Sequence, residues 1–206
     1  MMQGKKRNAA RRIILASSSR RRSKILKELG IRFSIRKSRI CEIPRRGETA
    51  ASFVIRAARE KALKVGLLEP LADTIIVGCD TVILLDRRIL GKPADSEDAA
   101  RMLAMLSGKW HQVLSGLCLY DTETQRIITG MSRSKVKFKE MSDEDISWYV
   151  ATGEPMDKAG SYGIQELGML FIEKVSGSYT NIVGLPVELL MELLKKMGIN
   201  PLSLVM

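Results

Sequence analysis

Asp80 is a lone carboxylate between two apolar runs, Thr74 to Val77 ahead of Gly78 and Val82 to Leu85 behind it. This places it at the end of a buried strand. An unpaired charge is strongly disfavoured in such a setting, so the Asp is hydrogen-bonded, metal-bound or catalytic, unless it caps a turn or pairs with an arginine. A second carboxylate, Glu42, and five cations, Arg21, Arg22, Lys61, Lys92 and Lys158, accompany loops of glycine and hydroxyl residues. Together these are the parts of phosphoryl chemistry. Carboxylate oxygens and substrate phosphates hold a hard divalent cation, lysines and arginines neutralise charge that grows in the transition state, and one carboxylate orients or deprotonates water.

Other chemistries find less support. The single histidine, His111, has no nucleophilic Ser in a recognisable elbow and reads as structural. Neither GxGxxG nor GxxxxGK[ST] occurs, and RRM and KH signatures are absent. Cys41, Cys79 and Cys118 form no CxxC pair, which argues against a thiolate metal cluster or redox motif and fits a reducing cytoplasm.

The elements that must position these residues alternate. Ile13 to Ala16 reads as a short buried strand, Ser17 to Ser19 as a helix cap, and Ile25, Leu26 and Leu29 as the stripe of a helix ending at Gly30. Arg20, Arg21 and Arg22 fall in that helix's first turn, where the macrodipole is already positive. They line an anion site together with Ser17 and Ser19, or else splay into water. Alternation predicts a strand over 31–40, and a helix over 49–65 that Gly66 ends. After Asp80 come a helix capped at Pro93 to Ser96, strands over 110–120 and 126–139 in antiparallel pairing, and a capping box at Ser142 to Asp145. A polar, glycine-rich loop spans 154–165, a strand follows over 169–175, a second loop covers 177–181, and Leu185-Pro186 opens the last helix. The mixture argues for an α/β unit with a mixed twisted sheet, flanking helices and two lobes around a central cleft.

With 206 residues and a net charge of +11, the chain is large enough to bury a core without disulfides and asks for anionic ligands. Residues 1–12 read as a basic tail and 13–206 as the folded domain. No apolar stretch is long enough to span a bilayer.

Several stretches, in order, closely resemble the Maf family of nucleoside triphosphate pyrophosphatases. They are Leu15 to Ser19 with Arg21-Arg22, Ala58 to Ala62, Gly78 to Val82, Gly91-Lys92-Pro93, Leu106 to Gly108, Thr152 to Pro155, Asp157 to Gly160, Tyr162 to Gln165 and Gly184 to Pro186. The resemblance implies an inosine-triphosphatase-like fold, often homodimeric, that converts a nucleoside triphosphate and water to monophosphate and pyrophosphate with Mg2+ or Mn2+. By motif position Asp80 is implied as the catalytic base and, with Glu42, as a metal ligand. Ser17, Ser19, Arg21, Arg22, Lys61 and Lys92 are implied at the phosphates. Arg21, Thr81 and Gln165 stand at the positions that separate a dTTP/UTP branch from a 7-methyl-GTP branch, and they match the former. A Gln amide presents both donor and acceptor to a pyrimidine edge.

Three positions depart from the family pattern: Arg20 replaces a common Pro, Lys24 a common Glu, and Cys41 an acidic residue before Glu42. The alternative to an enzyme is a regulatory protein, either a septum-formation inhibitor or a nucleic-acid binder using the basic N-terminal third. Nucleic acid is the less expected partner, and binding of that kind would weaken steeply with salt.

Overall fold

The computed structural model describes residues 11–68 and 73–205. Its helices begin where short polar side chains can satisfy unpaired backbone donors. Ser19 caps α1 (Arg20–Glu28), Asp95 caps α3 (Ser96–Leu106), and Ser142 closes a capping box with Asp145 on α4 (Asp143–Ala151). Ser178 caps the short α5 (Tyr179–Val183), and α6 (Val187–Lys196) starts just after Pro186. The longest helix, α2 (Ala50–Leu68), presents Phe53, Val54, Ala57, Ala58, Ala62 and Val65 to the core.

Among the described residues seven strands form one sheet: β1 (Arg12–Leu15), β2 (Phe33–Ile35), β3 (Thr74–Leu85), β4 (Arg88–Leu90), β5 (Trp110–Asp121), β6 (Ile127–Phe138) and β7 (Ile172–Ser176). The order is β2-β1-β3-β5-β6-β7, with β4 on β3. β1 pairs in parallel with β2 and β3, and every other pairing is antiparallel, so the sheet is mixed as expected.

Pairing along β3 is interrupted on one edge. One edge of β3 is occupied by β5 from Ile75 to Leu84. On the other edge β1 covers Arg12 to Leu15 against Thr74 to Val77, and β4 returns only at Ile83 to Leu85. Residues 78–82 therefore have a strand on one side and a gap on the other. Asp80 lies in the middle of that gap.

Side chains alternate across the sheet. One face carries Ile14, Ile76 and Cys118, packed on Ala58, Ala62 and Val65, then Val82 and Leu114, packed on Phe53 and Ala57. Between these clusters stand Gly78, Asp80 and Gly116. The opposite face has Leu15, Val77 and Leu117 against α1 and α6, and Ile83, Val113 and Phe138 against α3 and α4. Thr81, paired with Ser115, separates those two clusters. Each face thus has an apolar core in each lobe, with small and polar residues where the lobes meet.

The structure corrects several sequence expectations. Only Phe33–Ile35 of the strand predicted over 31–40 forms a strand: Ile31 makes an isolated bridge with Val205, and the pairing with β1 closes where Arg36 N donates to the Leu15 carbonyl at 3.0 Å. Gly66 does not end α2, which runs on to Leu68; it lies inside the helix because a side chain there would meet the Tyr120 ring at 2.4 Å. Asp80 is mid-strand rather than at a strand end. The 154–165 loop contains two tight 3₁₀ turns, Glu154–Asp157 and Ala159–Ser161, the strand after it starts at Ile172, and the 177–181 loop is largely α5. β1 already includes Arg12, while residues 1–10 of the expected tail lie outside the described residues.

Candidate active site

Two glycines bring α2 onto the sheet at the gap. A methyl group on Gly78 would sit 2.1 Å from the Ala58 carbonyl oxygen, and one on Gly116 would sit 2.1 Å from that of Val54. Helix backbone and strand backbone are in direct contact there, which delivers Lys61 onto Asp80. Lys61 Nζ donates to Asp80 Oδ1 at 2.7 Å and to the Cys79 carbonyl at 3.4 Å, and both charged residues are only 4% exposed. The same ammonium lies 2.9 Å from Glu42 Oε2. Glu42 comes from a segment without regular structure, so its place depends on side-chain contacts.

These contacts set the charge states apart. Burial pushes the Asp80 carboxyl above its ordinary value, against the pull of Lys61 and Arg22. Burial also opposes ionisation of Glu42, but the Lys61 ammonium and a hydrogen bond with Asp80 outweigh it and hold Glu42 below its ordinary value. Of the two carboxyls, Asp80 is thus the one that binds a proton more readily.

The opposite face has its own centre. Arg22 is buried: Nε donates to the Gly184 carbonyl at 2.8 Å, Nη1 to Ser17 Oγ at 3.1 Å and Nη2 to Thr81 Oγ1 at 3.0 Å. Thr81 Oγ1 also lies 2.9 Å from Ser115 Oγ and 3.3 Å from the Gly184 oxygen, which accepts from Cys79 Sγ as well. The expected anion-binding serines are likewise engaged, since Ser19 caps α1 and Ser17 receives Arg22. Of the three arginines, Arg20 is exposed and Arg21 is half-buried, its guanidinium 3.4 Å from Asp157. Arg22 does not splay into water; it is buried and bridges Gly184, Ser17 and Thr81.

The structure therefore brings Asp80, Glu42 and Lys61 together on one face and Ser17, Arg22 and Thr81 on the other, meeting at the β3 gap. Lys92 is exposed just beyond β4, on the far side of that gap. Gln165 is half-buried, next to Ile164, whose side chain packs against both cores of the Arg22 face. His111 is buried, with Nε2 2.7 Å from Tyr162 Oη, in keeping with the structural reading. No group of three or more His, Cys, Asp or Glu side chains is poised to hold a metal among the described residues. Two convergent carboxylates nonetheless fit Mg2+ or Mn2+ when substrate phosphates and water complete the shell.

A sequence model described as Maf-like protein matches residues 12–197. The chain belongs to the Maf family. A dTTP/UTP pyrophosphatase of Acetivibrio thermocellus is 45% identical over 197 residues, covering 93% of this chain and 98% of that protein. One of Clostridioides difficile is 46% identical over 184 residues, covering 89% and 94%. One of Hahella chejuensis is 45% identical over 191 residues, covering 92% and 94%. Among solved structures, the Ham1 protein of Staphylococcus aureus aligns with a TM-score of 0.48 and 12% identity, over 90% of this chain and 99% of that one.

In this Maf protein several residues that shape the site were not singled out from the sequence. Arg56 pins the Glu42 segment: Nη2 donates to the Ile43 carbonyl at 3.1 Å while the guanidinium grips Glu48 at 2.7 Å and Glu60 at 3.1 Å. Its spacing to Glu60, four residues along a helix, was a visible signal, though it pointed only to helix support. Asn181 Nδ2 donates to the Val113 carbonyl and to Ser134 Oγ, docking α5 and with it Gly184. Nothing local marks that residue.

Proposed function

We propose that this Maf protein hydrolyses pyrimidine nucleoside triphosphates, dTTP and UTP foremost, to the monophosphate and pyrophosphate. The observation that carries the reading is Asp80: a buried carboxylate at a break in sheet pairing, held by Lys61 and facing Glu42. The names of the relatives support the reaction, and no observation favours the regulatory alternative.

Asp80 takes a proton from water as its oxygen attacks the α-phosphorus; the new P–O bond forms as the bond to the bridging oxygen breaks, and that oxygen leaves with pyrophosphate. Lys61 keeps Asp80 oriented and offsets the growing charge. Arg21 and Lys92 grip the triphosphate, while Ser17, Ser19 and Arg22 frame the turn on which it rests. Glu42 and Asp80 would hold Mg2+ or Mn2+, which would supply neutralisation of phosphate charge. Gln165 reads the base edge, and Thr81 contributes to selectivity through Arg22. The protein works in the cytoplasm as a homodimer, its substrates being nucleotides rather than nucleic acid. No helix among the described residues is long and apolar enough to cross a membrane.

The test is product analysis over a panel of nucleoside triphosphates with Mg2+ or Mn2+. Monophosphate and pyrophosphate from dTTP and UTP are expected, and failure to turn over any triphosphate overturns the reading.

A further inference from the structure

Gln165 sits on a loop that is closed at its base. A methyl group on Gly168 would lie 2.2 Å from the Gly163 carbonyl oxygen and 2.6 Å from Tyr149 Oη, so the two ends of the loop and the phenol are in tight contact. Tyr149 is fully buried in the core formed with Phe138, Leu103 and Phe171, which fixes its hydroxyl in space. That hydroxyl accepts from the Gly163 N–H at 3.4 Å and donates to Glu154 Oε1 at 2.8 Å. Glu154 then takes the other end of the loop, accepting from Gly168 N at 3.1 Å and from Leu167 N at 3.0 Å. Its own backbone is tied down as well, since Lys158 Nζ donates to the Glu154 carbonyl at 2.6 Å. Between the two ends the tip is exposed at Glu166 and Leu167, and Glu166 has a φ of 60°, an uncommon conformation for a residue with a side chain.

A tip with so little packing keeps one shape only if its ends are fixed, because each freed residue regains backbone entropy. Main-chain N–H groups on a carboxylate are among the stronger hydrogen bonds available for this. We propose that Glu154 and Tyr149 are positioning residues for base recognition: they hold the Gln165 amide at the angle that separates a pyrimidine with a 4-carbonyl from one with a 4-amino group. The inference rests on the reading of Gln165 as the base reader. UTP and CTP, which differ only along that edge, are the probes.

Steady-state kinetics with both nucleotides on the wild-type protein, Tyr149→Phe, Glu154→Gln and Glu154→Ala decides the matter. Tyr149→Phe, which removes one oxygen and keeps the buried ring, lowers the UTP-to-CTP ratio of kcat/KM about five-fold, the worth of one hydrogen bond. Glu154→Ala lowers it by about ten-fold or more, and Glu154→Gln, which keeps one acceptor oxygen, falls between. The loss appears in KM for UTP while kcat at saturation stays within about two-fold, as a binding-geometry effect requires. A purely structural role would lower kcat for both nucleotides alike and leave the ratio unchanged. If the wild type turns over UTP with clear preference but both Tyr149→Phe and Glu154→Ala retain the ratio, the positioning role is overturned and the proposed function stands. A wild type with no preference between the two also overturns it. A wild type that cleaves neither overturns this inference and the pyrimidine assignment, and cleavage of no triphosphate at all overturns the proposed reaction.

Discussion

Asp80 and Thr81 are chain neighbours that serve opposite faces of the sheet. Asp80 meets Lys61 of α2 at 2.7 Å, whereas Thr81 meets Arg22 of α1 at 3.0 Å. Both lie on the stretch of β3 whose edge is bare between Val77 and Ile83. Two charge systems, one carboxylate-lysine and one arginine-hydroxyl, thus border a single gap.

Replacing Asp80 by Asn removes the proton acceptor while preserving shape. Lys61 keeps Glu42 and the Cys79 carbonyl as partners, so no buried charge is stranded. Turnover is expected to fall by about 10³-fold, with thermal unfolding shifted by only a few degrees. Substantial activity in the variant would remove Asp80 from the base role.

Gly78→Ala tests the seating of α2. The added methyl has no space against the Ala58 backbone, so helix and strand must separate and carry Lys61 away from Asp80. A loss of about 2–3 kcal/mol is expected in urea denaturation, together with lower turnover. Unchanged stability would mean that the close approach is not needed.

Arg22→Lys retains the charge but cannot span Gly184, Ser17 and Thr81 at once. Because the site is buried, stability should drop by about 2 kcal/mol or more, and an equal loss in Arg22→Met would show that geometry rather than charge is what counts. Chemical denaturation of both variants measures this. Full stability of the Lys variant would show that the three-way hydrogen bonding is not needed.

His111 makes stability depend on pH. Burial pulls its pKa from 6.5 down to about 4. The unfolded chain therefore binds a proton in a range where the folded protein does not. Its contribution is fully present above pH 6.5 and is lost as pH falls from 6.5 towards 4, a total of about 3 kcal/mol. Denaturation at a series of pH values should show that loss in the wild type and a smaller one in His111→Gln. Identical pH dependence in the two proteins would exclude His111 as the source.

Much of this protein was legible from short-range pattern. The caps at Ser19, Asp95 and Ser142 act on donors three residues away, and strand and helix periods are local, so both can be read from the chain itself. The cost of burying Asp80 was also visible, as were the ordered motifs that place the chain in its family. Partner choice was not. Arg22 and Gly184 are 162 residues apart, and Arg21 and Asp157 are 136 apart. Gly66 read as a helix stop because glycine commonly ends helices, and only the Tyr120 ring, brought alongside by β5, shows why a glycine is required within α2. The sequence by itself determined the elements, their order and the costly carboxylate. Only the tertiary structure decided which face Asp80 and Thr81 each serve, that Arg22 bridges Ser17, Thr81 and Gly184, and that one edge of β3 is left unpaired between β1 and β4. Those outcomes depend on hydrogen-bond partners and van der Waals contacts between distant segments, which no local period encodes.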